Sequence, residues 1–380
     1  GVGASTAAIT VNNSDGTCTA NITNNLSNRN LIINGAMQVA QRGSSSTIDG
    51  YGSIDRFRSN LAGCDENPTQ SQSDVASGTT PYTLGFRKAF KFTNGNQTSG
   101  AGTTDCVAIL HRIEAQDIAN SGWNYTDTNS KITLSFWCKS SVAQNFYGFF
   151  RTQDGTSQLN AFETGSLTAD TWTKVTKTIT GDSNLQFDSN NDTGLDIEFT
   201  MFRGTDRTGS LTLNQWAAYD TNVRVPDMTS TWFTTNDSTF EITGVQLEVG
   251  DHATDFEHRS FHDELYRCYR YFQRFATGDG KSIGLGYYYS SSHLTVLCDL
   301  FTTMRATPTL SMISGTHYYV VYRDGAADTF NSFTIDTGAS DKRVDIYNSS
   351  EISGTAGQTG VVRCNNAAPN GGQIDFNAEL

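Results

Sequence analysis

The stretch "KITLSFWCK", Lys131 to Lys139, decides the fold. Ile132, Leu134, Phe136 and Cys138 share one parity, while Thr133, Ser135 and Trp137 share the other. A side-chain period of two is that of a β-strand with one face on a core. Outward from it, "NFYGFFR", "TWTKVTKTIT" and "LDIEFTMF" repeat the theme, separated by "TQDGT", "GDSN" and "DSNNDTG" turn clusters. Short alternating strands between such turns predict an antiparallel sandwich of the jelly-roll kind. The long helices that a TIM barrel or Rossmann fold would interleave are missing.

"FEITGVQLEV" closes this unit. Phe240 and Ile242 share one parity, and Val245, Leu247 and Val249 the other. A parity switch across Gly244 predicts a β-bulge, which glycine tolerates. Next comes "SFHDELYRCYRYFQRF", where Ser260 followed by Asp263 is a helix-start signal. Phe261, Leu265, Cys268, Phe272 and Phe275 recur at helical spacing, which predicts a connecting helix with an apolar stripe. Beyond "ATGDGK", segments such as "SIGLGYYYS", "HLTVLCDL", "YYVVY" and "QIDFNAEL" predict a second, smaller β-sandwich or barrel.

The expected division is residues 1–29 as linker or subunit-docking segment, 30–258 as the jelly roll, 259–278 as connecting helix and linker, and 279–380 as the small β-domain. Gly1 in place of Met is read as the mark of a processed or partial chain.

Composition narrows the function. A net charge of −13 argues against nucleic acid, because phosphate binding needs a basic surface. No apolar run reaches the roughly 18 residues of a membrane span, so membrane insertion is not expected. Seven scattered cysteines without a CxxC fit assembly in a reducing cytosol better than a disulfide framework.

Motifs with dedicated chemistry are scarce. GxSxG, HExxH, the P-loop and a helix-opening GxGxxG are all missing. His258 and His262 stand four apart near His252, Asp255, Glu257 and Asp263. However, His258 precedes the helix cap and no Cys completes a zinc set. Asp188, Asn190 and Asp192, with Gly194, imitate a calcium loop, but the glycine is one residue late and no Glu closes the frame. No cofactor is expected; calcium held by another arrangement of loops stays open. Glycoside hydrolysis needs two carboxylates facing each other across a sugar. Asp55, Glu66, Glu114 and Glu163 are candidates that sequence alone cannot pair, and solvated surface is the simpler reading of each.

Aromatic rings are a better lead. Trp137 opposes the apolar parity of its strand, and Trp123 and Tyr125 stand in the loop "SGWNYTD". Such rings can stack on the C–H faces of sugars, so these three are the candidate glycan-binding residues. The competing reading packs them under loops or at a subunit interface.

Several stretches together resemble the distal part of phage tail fibres, the attachment proteins of many tailed phages. "NLIINGAMQVAQRG" (Asn30 to Gly43) with "SIDRFR" is similar to the entry motif, and "LSFWCKSS" to the central strand. "ITGVQLEVGDHATDFEHRSFHDELYRCYRYFQ" is similar to the closing motif, and "MRATPTL" with "IDFNAEL" to the C-terminal unit. The likeness runs in order over residues 30–380. Asp255 stands where the family usually has Pro.

The resemblance implies a jelly roll like carbohydrate-binding modules, a small β-domain and a homotrimer in the virion tail, assembled in the host cytoplasm with other tail proteins. It implies adhesion to a host-surface glycan or outer-membrane receptor and supplies no catalytic residues. The alternatives are a capsid or tail decoration protein, a polysaccharide depolymerase, and a secreted sugar-binding module.

Overall fold

The computed structural model describes residues 28–365 and 371–380, together with the backbone of two short paired strands, β1 (Ile9–Val11) and β2 (Cys18–Ala20). The expectation for residues 1–29 therefore lies almost wholly outside the described residues.

The first unit carries β3 (Ser45–Ser46), β4 (Phe57–Ala62), β5 (Thr69–Asp74), β6 (Lys88–Thr93), β7 (Cys106–Glu114), β8 (Lys131–Ser140), β9 (Asn145–Thr152), β10 (Gln158–Ser166), β11 (Thr173–Thr180), β12 (Thr193–Arg203), β13 (Trp216–Ala218) and β14 (Thr239–Val249). Two six-stranded sheets result, ordered β13-β10-β9-β12-β7-β4 and β11-β8-β14-β6-β5-β3. All their strand pairs are antiparallel. The chain crosses repeatedly between the sheets, so β12 lies between β9 and β7, and β14 between β8 and β6. This is a jelly-roll sandwich. Its core takes the parity read from β8: Ile132, Leu134, Phe136 and Cys138 are all buried in it, and Phe136 meets Phe162 and Phe199 of the facing sheet.

The bulge forms where the parity switch predicts it. β14 follows β8 in register through Thr243 and resumes at Gln246, with Gly244 at φ 63°. β6 pairs with β14 only over Thr239–Ile242. Beyond the bulge, the entry segment around Asn30–Gly35 takes over that edge. Leu31 N donates to Leu247 O at 2.9 Å, Val245 N donates to Gly35 O at 2.9 Å, and the Asn30 carboxamide bonds both Leu247 N and Val245 O. A Cβ on Gly35 would lie 2.1 Å from Val245 O, so only glycine permits this approach.

Three short helices, α1 (Thr80–Thr83), α2 (Ala115–Ala119) and α3 (Thr231–Thr234), sit in the loops, and α4 (Phe261–Tyr269) leaves the sandwich. Ser260 caps α4: its Oγ accepts from Asp263 N at 3.1 Å and donates to the Asp263 carboxylate. The expected apolar stripe is corrected. Phe261 is 55% exposed, and the buried side chains of α4 are Glu264 and Cys268. Glu264 is held inward because its carboxylate accepts from the main-chain amide of Asn34 at 2.6 Å. Phe272 and Phe275 do not continue the helix, because their backbone pairs with the end of the chain as a strand.

The second unit comprises β15 (Phe272–Thr277), β16 (Ser282–Ser290), β17 (His293–Asp299), β18 (Thr309–Ile313), β19 (Tyr319–Arg323), β20 (Ala326–Phe330), β21 (Thr334–Ile335), β22 (Arg343–Asn348), β23 (Thr359–Cys364) and β24 (Gln373–Asn377). A three-stranded sheet, β15-β24-β18, and a seven-stranded sheet, β20-β19-β23-β16-β17-β22-β21, enclose a core of their own. This is the smaller β-sandwich.

Candidate functional site

On the outer face of the second sheet of the jelly roll, the bulge creates a cleft of about 350 Å³. Trp137, half-buried, forms one wall, with Lys174 of β11 directly across in register on one side and Thr243 of β14 on the other. At Gly244 a Cβ would lie 2.6 Å from the Phe86 ring, so the missing side chain is what lets Phe86 settle over the strand. Phe256 meets Phe86 edge-on at 4.9 Å, and the His258 ring lies 5.1 Å from Phe86. His258 is fixed by a 2.8 Å hydrogen bond between Nε2 and Leu84 O. The result is an aromatic wall edged by Lys174, Asp255, His258 and the hydroxyls of Ser135 and Thr254. Among the described residues Lys174 forms no ion pair.

Such a cleft can stack an aliphatic ring face on Trp137 and hydrogen-bond hydroxyls at the rim, with one free ammonium ready for an acidic group. Its only carboxylate is Asp255. Trp172 extends the aromatic surface nearby, with the Lys139 ammonium 5.3 Å from its ring centroid.

The three aromatic candidates are not brought together. Trp123 is 3% exposed and packs on Tyr125 and Phe187 in the core between the sheets, so its ring faces are covered by protein. Tyr125 meets Phe187 edge-on at 4.9 Å. Trp137 alone of the three opens onto a cleft. Phe86, Phe256 and Lys174 were not singled out from the sequence. Only the alternation around Lys174 could have placed it beside Trp137; the approach of Phe86 and Phe256 depends on the bulge.

The histidines and acidic groups are dispersed. Among the described residues no three His, Cys, Asp or Glu side chains converge as a metal site, and no helix is long and apolar enough to cross a membrane. His252 contacts Asp251, His262 is exposed, and Asp192 faces Arg305 at 3.6 Å. Glu66 accepts from Asn96 N, and Glu163 from the Asn145 carboxamide.

Asp55 and Glu114, read from sequence as solvated surface, are instead fully buried at the seam between the two units. Glu114 accepts from Arg270 Nε and Nη2 at 2.6 and 2.7 Å and from the Tyr271 hydroxyl at 2.6 Å. Asp55 accepts from both nitrogens of Gln41 and lies 3.9 Å from Arg42. Arg42 and Arg56 both pair with Glu379, and Arg112 Nη1 donates to Leu380 O. The last residues of the sequence thus plug into the first unit.

Burial pushes the Asp55 carboxyl from 3.8 up to about 6, against the pull of Arg42 and Gln41. A raised folded-state pKa means stability that is complete below about 3.8 and lost as pH rises through about 6. Relative to Asp55→Asn, the wild type should therefore lose on the order of 2 kcal/mol as pH rises from about 4 to about 7. Urea midpoints of the two proteins at several pH values check this. A constant difference would mean that Asp55 does not titrate in that window.

No protein-family model matches the chain, and no curated protein is a significant match. Among solved structures it is similar to the enzymatically active domain of tailspike protein 4 of bacteriophage CBA120, at 10% identity and TM-score 0.31, over 58% of this chain and 22% of that one. It is similar to the N-terminal cellulose-binding domain of Cellulomonas fimi beta-1,4-glucanase C, at 12% identity and TM-score 0.27, over 57% and 100% of the two chains. A CBM22-1–CBM22-2 tandem domain from Paenibacillus barcinonensis covers 90% of this chain and 96% of its own length, at 8% identity and TM-score 0.26.

Proposed function

We propose that this chain is the distal part of a phage tail fibre, and that it adheres to host-surface glycan through the Trp137 cleft without cutting it. The observation that carries the reading is the pairing, in one cleft, of an aromatic wall with an unpaired lysine and a hydroxyl-bearing rim. A single carboxylate supports binding over hydrolysis, since a glycosidase of the usual kind brings two to one sugar. The ordered motifs over residues 30–380 support the virion setting, as a homotrimer alongside other tail proteins, put together in the host cytoplasm.

One cleft of this size binds weakly. Several copies on one fibre, and several fibres on one particle, raise avidity by orders of magnitude without new contacts. The test is to incubate the labelled chain with host bacteria and compete with their isolated surface polysaccharide. Adhesion predicts cell labelling that the polysaccharide displaces. Release of reducing ends would establish a depolymerase instead, and absence of labelling on cells that the whole particle binds would point to a decoration protein.

A further inference from the structure

The seven-stranded sheet of the second unit turns Tyr319, Val321, Val296, Ile346 and Val362 inward to its core. Its other face carries large apolar side chains that stand exposed among the described residues. Leu285 is 69% exposed, Tyr289 74%, Tyr322 47% and Leu297 41%. Register brings Leu285, Tyr322 and Leu297 into one row. Val361 of β23 sits across from Leu285 of β16 on one side and Tyr322 of β19 on the other. Leu297 of β17 continues the row on the far side of β16, next to the Gly286–Val296 pair. Exposed apolar residues scattered singly need no explanation, but a contiguous row across four strands marks an interaction surface.

Charge shows what covers it. Arg363, two residues beyond Val361, is exposed and lies 5.5 Å over the Tyr322 ring. Asp345 lies directly across from Leu297, with a buried Oδ1 that has no hydrogen-bond partner. Among the described residues neither forms an ion pair. One face therefore holds an apolar row with an uncompensated cation towards β19 and an uncompensated anion at β22. The cationic side of the face on one copy is thus complementary to the anionic side on the next, the head-to-tail arrangement by which a ring of copies closes.

It differs in kind from the Trp137 cleft: it is a sheet face rather than a pocket, and aliphatic at its centre. Sheets pack on such faces at about 10 Å separation. Seven strands at ~4.8 Å spacing and about 20 Å length give a face on the order of 600 Å², near the roughly 800 Å² per partner of a stable interface.

We infer that copies of this chain associate through this outer face, apolar row against apolar row, with Arg363 of one copy directed at Asp345 of the next. The inference rests on the multi-copy part of the proposed function and is independent of glycan recognition.

Light scattering on the 380-residue chain tests it. The wild type should have a mass that is a multiple of 41.4 kDa. Leu285→Glu with Tyr322→Glu, both at exposed positions, should fall to a single chain with an unchanged circular dichroism spectrum. Arg363→Asp alone should weaken association by about tenfold or more, and adding Asp345→Arg should restore it, an outcome that a folding defect cannot imitate. A wild type that stays at 41.4 kDa at every concentration overturns the inference, as does an oligomer that survives Leu285→Glu and ignores the charge exchange. A wild-type chain that forms the oligomer but fails to label host cells would strike the adhesion reading and leave this one standing.

Discussion

Glu114→Ala is expected to lower the unfolding free energy by about 2–3 kcal/mol, chiefly because the buried Tyr271 hydroxyl is left unpaired, while Arg270, partly open to solvent, is rehydrated. Glu114 ends β7, fully buried, and its carboxylate holds Arg270 by two hydrogen bonds and the Tyr271 hydroxyl by a third. Gln116 supplies a fourth at 2.6 Å. Alanine would leave the Tyr271 hydroxyl, buried beneath Arg56, without its partner. These residues join the jelly roll to the chain just after α4, so the second unit should also lose protease protection at β15.

The pH dependence separates this effect from simple cavity formation. Burial alone would raise the Glu114 carboxyl, but the hydrogen bonds from Arg270 and Tyr271 win and hold it below its ordinary 4.5. A depressed folded-state pKa means stability that is present above about 4.5 and lost as pH falls through the lowered value. The deficit of the alanine variant should therefore shrink in acid. Denaturant unfolding at neutral and acidic pH measures both parts, and a neutral-pH loss under about 1 kcal/mol would remove Glu114 from its place in the seam.

Trp137→Ala should weaken binding of a single chain to glycan by about 2 kcal/mol, roughly thirtyfold, the loss typical of a central aromatic contact. On a multivalent particle the effect compounds. Stability should change little in comparison, because the ring is half-buried on an outer sheet face rather than in the core. Trp123→Ala is the informative contrast: its ring belongs to the core, so the expected loss is in stability, by about 3–5 kcal/mol. Isothermal titration and thermal unfolding of both variants distinguish the two roles. Equal binding losses in both would show that the cleft is not the contact.

Local signals were legible in the sequence. The alternation at 131–139, the parity switch at Gly244 and the Ser260 cap each depend on neighbours within a few residues, and each appears where it was read. The continuation of α4 was misread because Phe272 and Phe275 look helical in isolation. Their strand exists only through β24, about a hundred residues later. Burial of Glu114 was illegible for the same reason, its partner Arg270 lying 156 positions away. Trp137 could be singled out by parity, but its cleft could not, because the cleft depends on a bulge drawing Phe86 across Gly244. Asp55 looked like surface until Arg42, Glu379 and α4 closed over it.

The most direct measurement of the adhesion account is binding of the 380-residue chain and its Trp137→Ala variant to immobilised surface polysaccharide from host cells, with the polymer's length checked afterwards. The account predicts saturable binding by the wild type, a variant weakened by roughly thirtyfold or more, and polymer of unchanged length. A folded wild-type chain that is not retained, or polymer that comes back shortened, would contradict it.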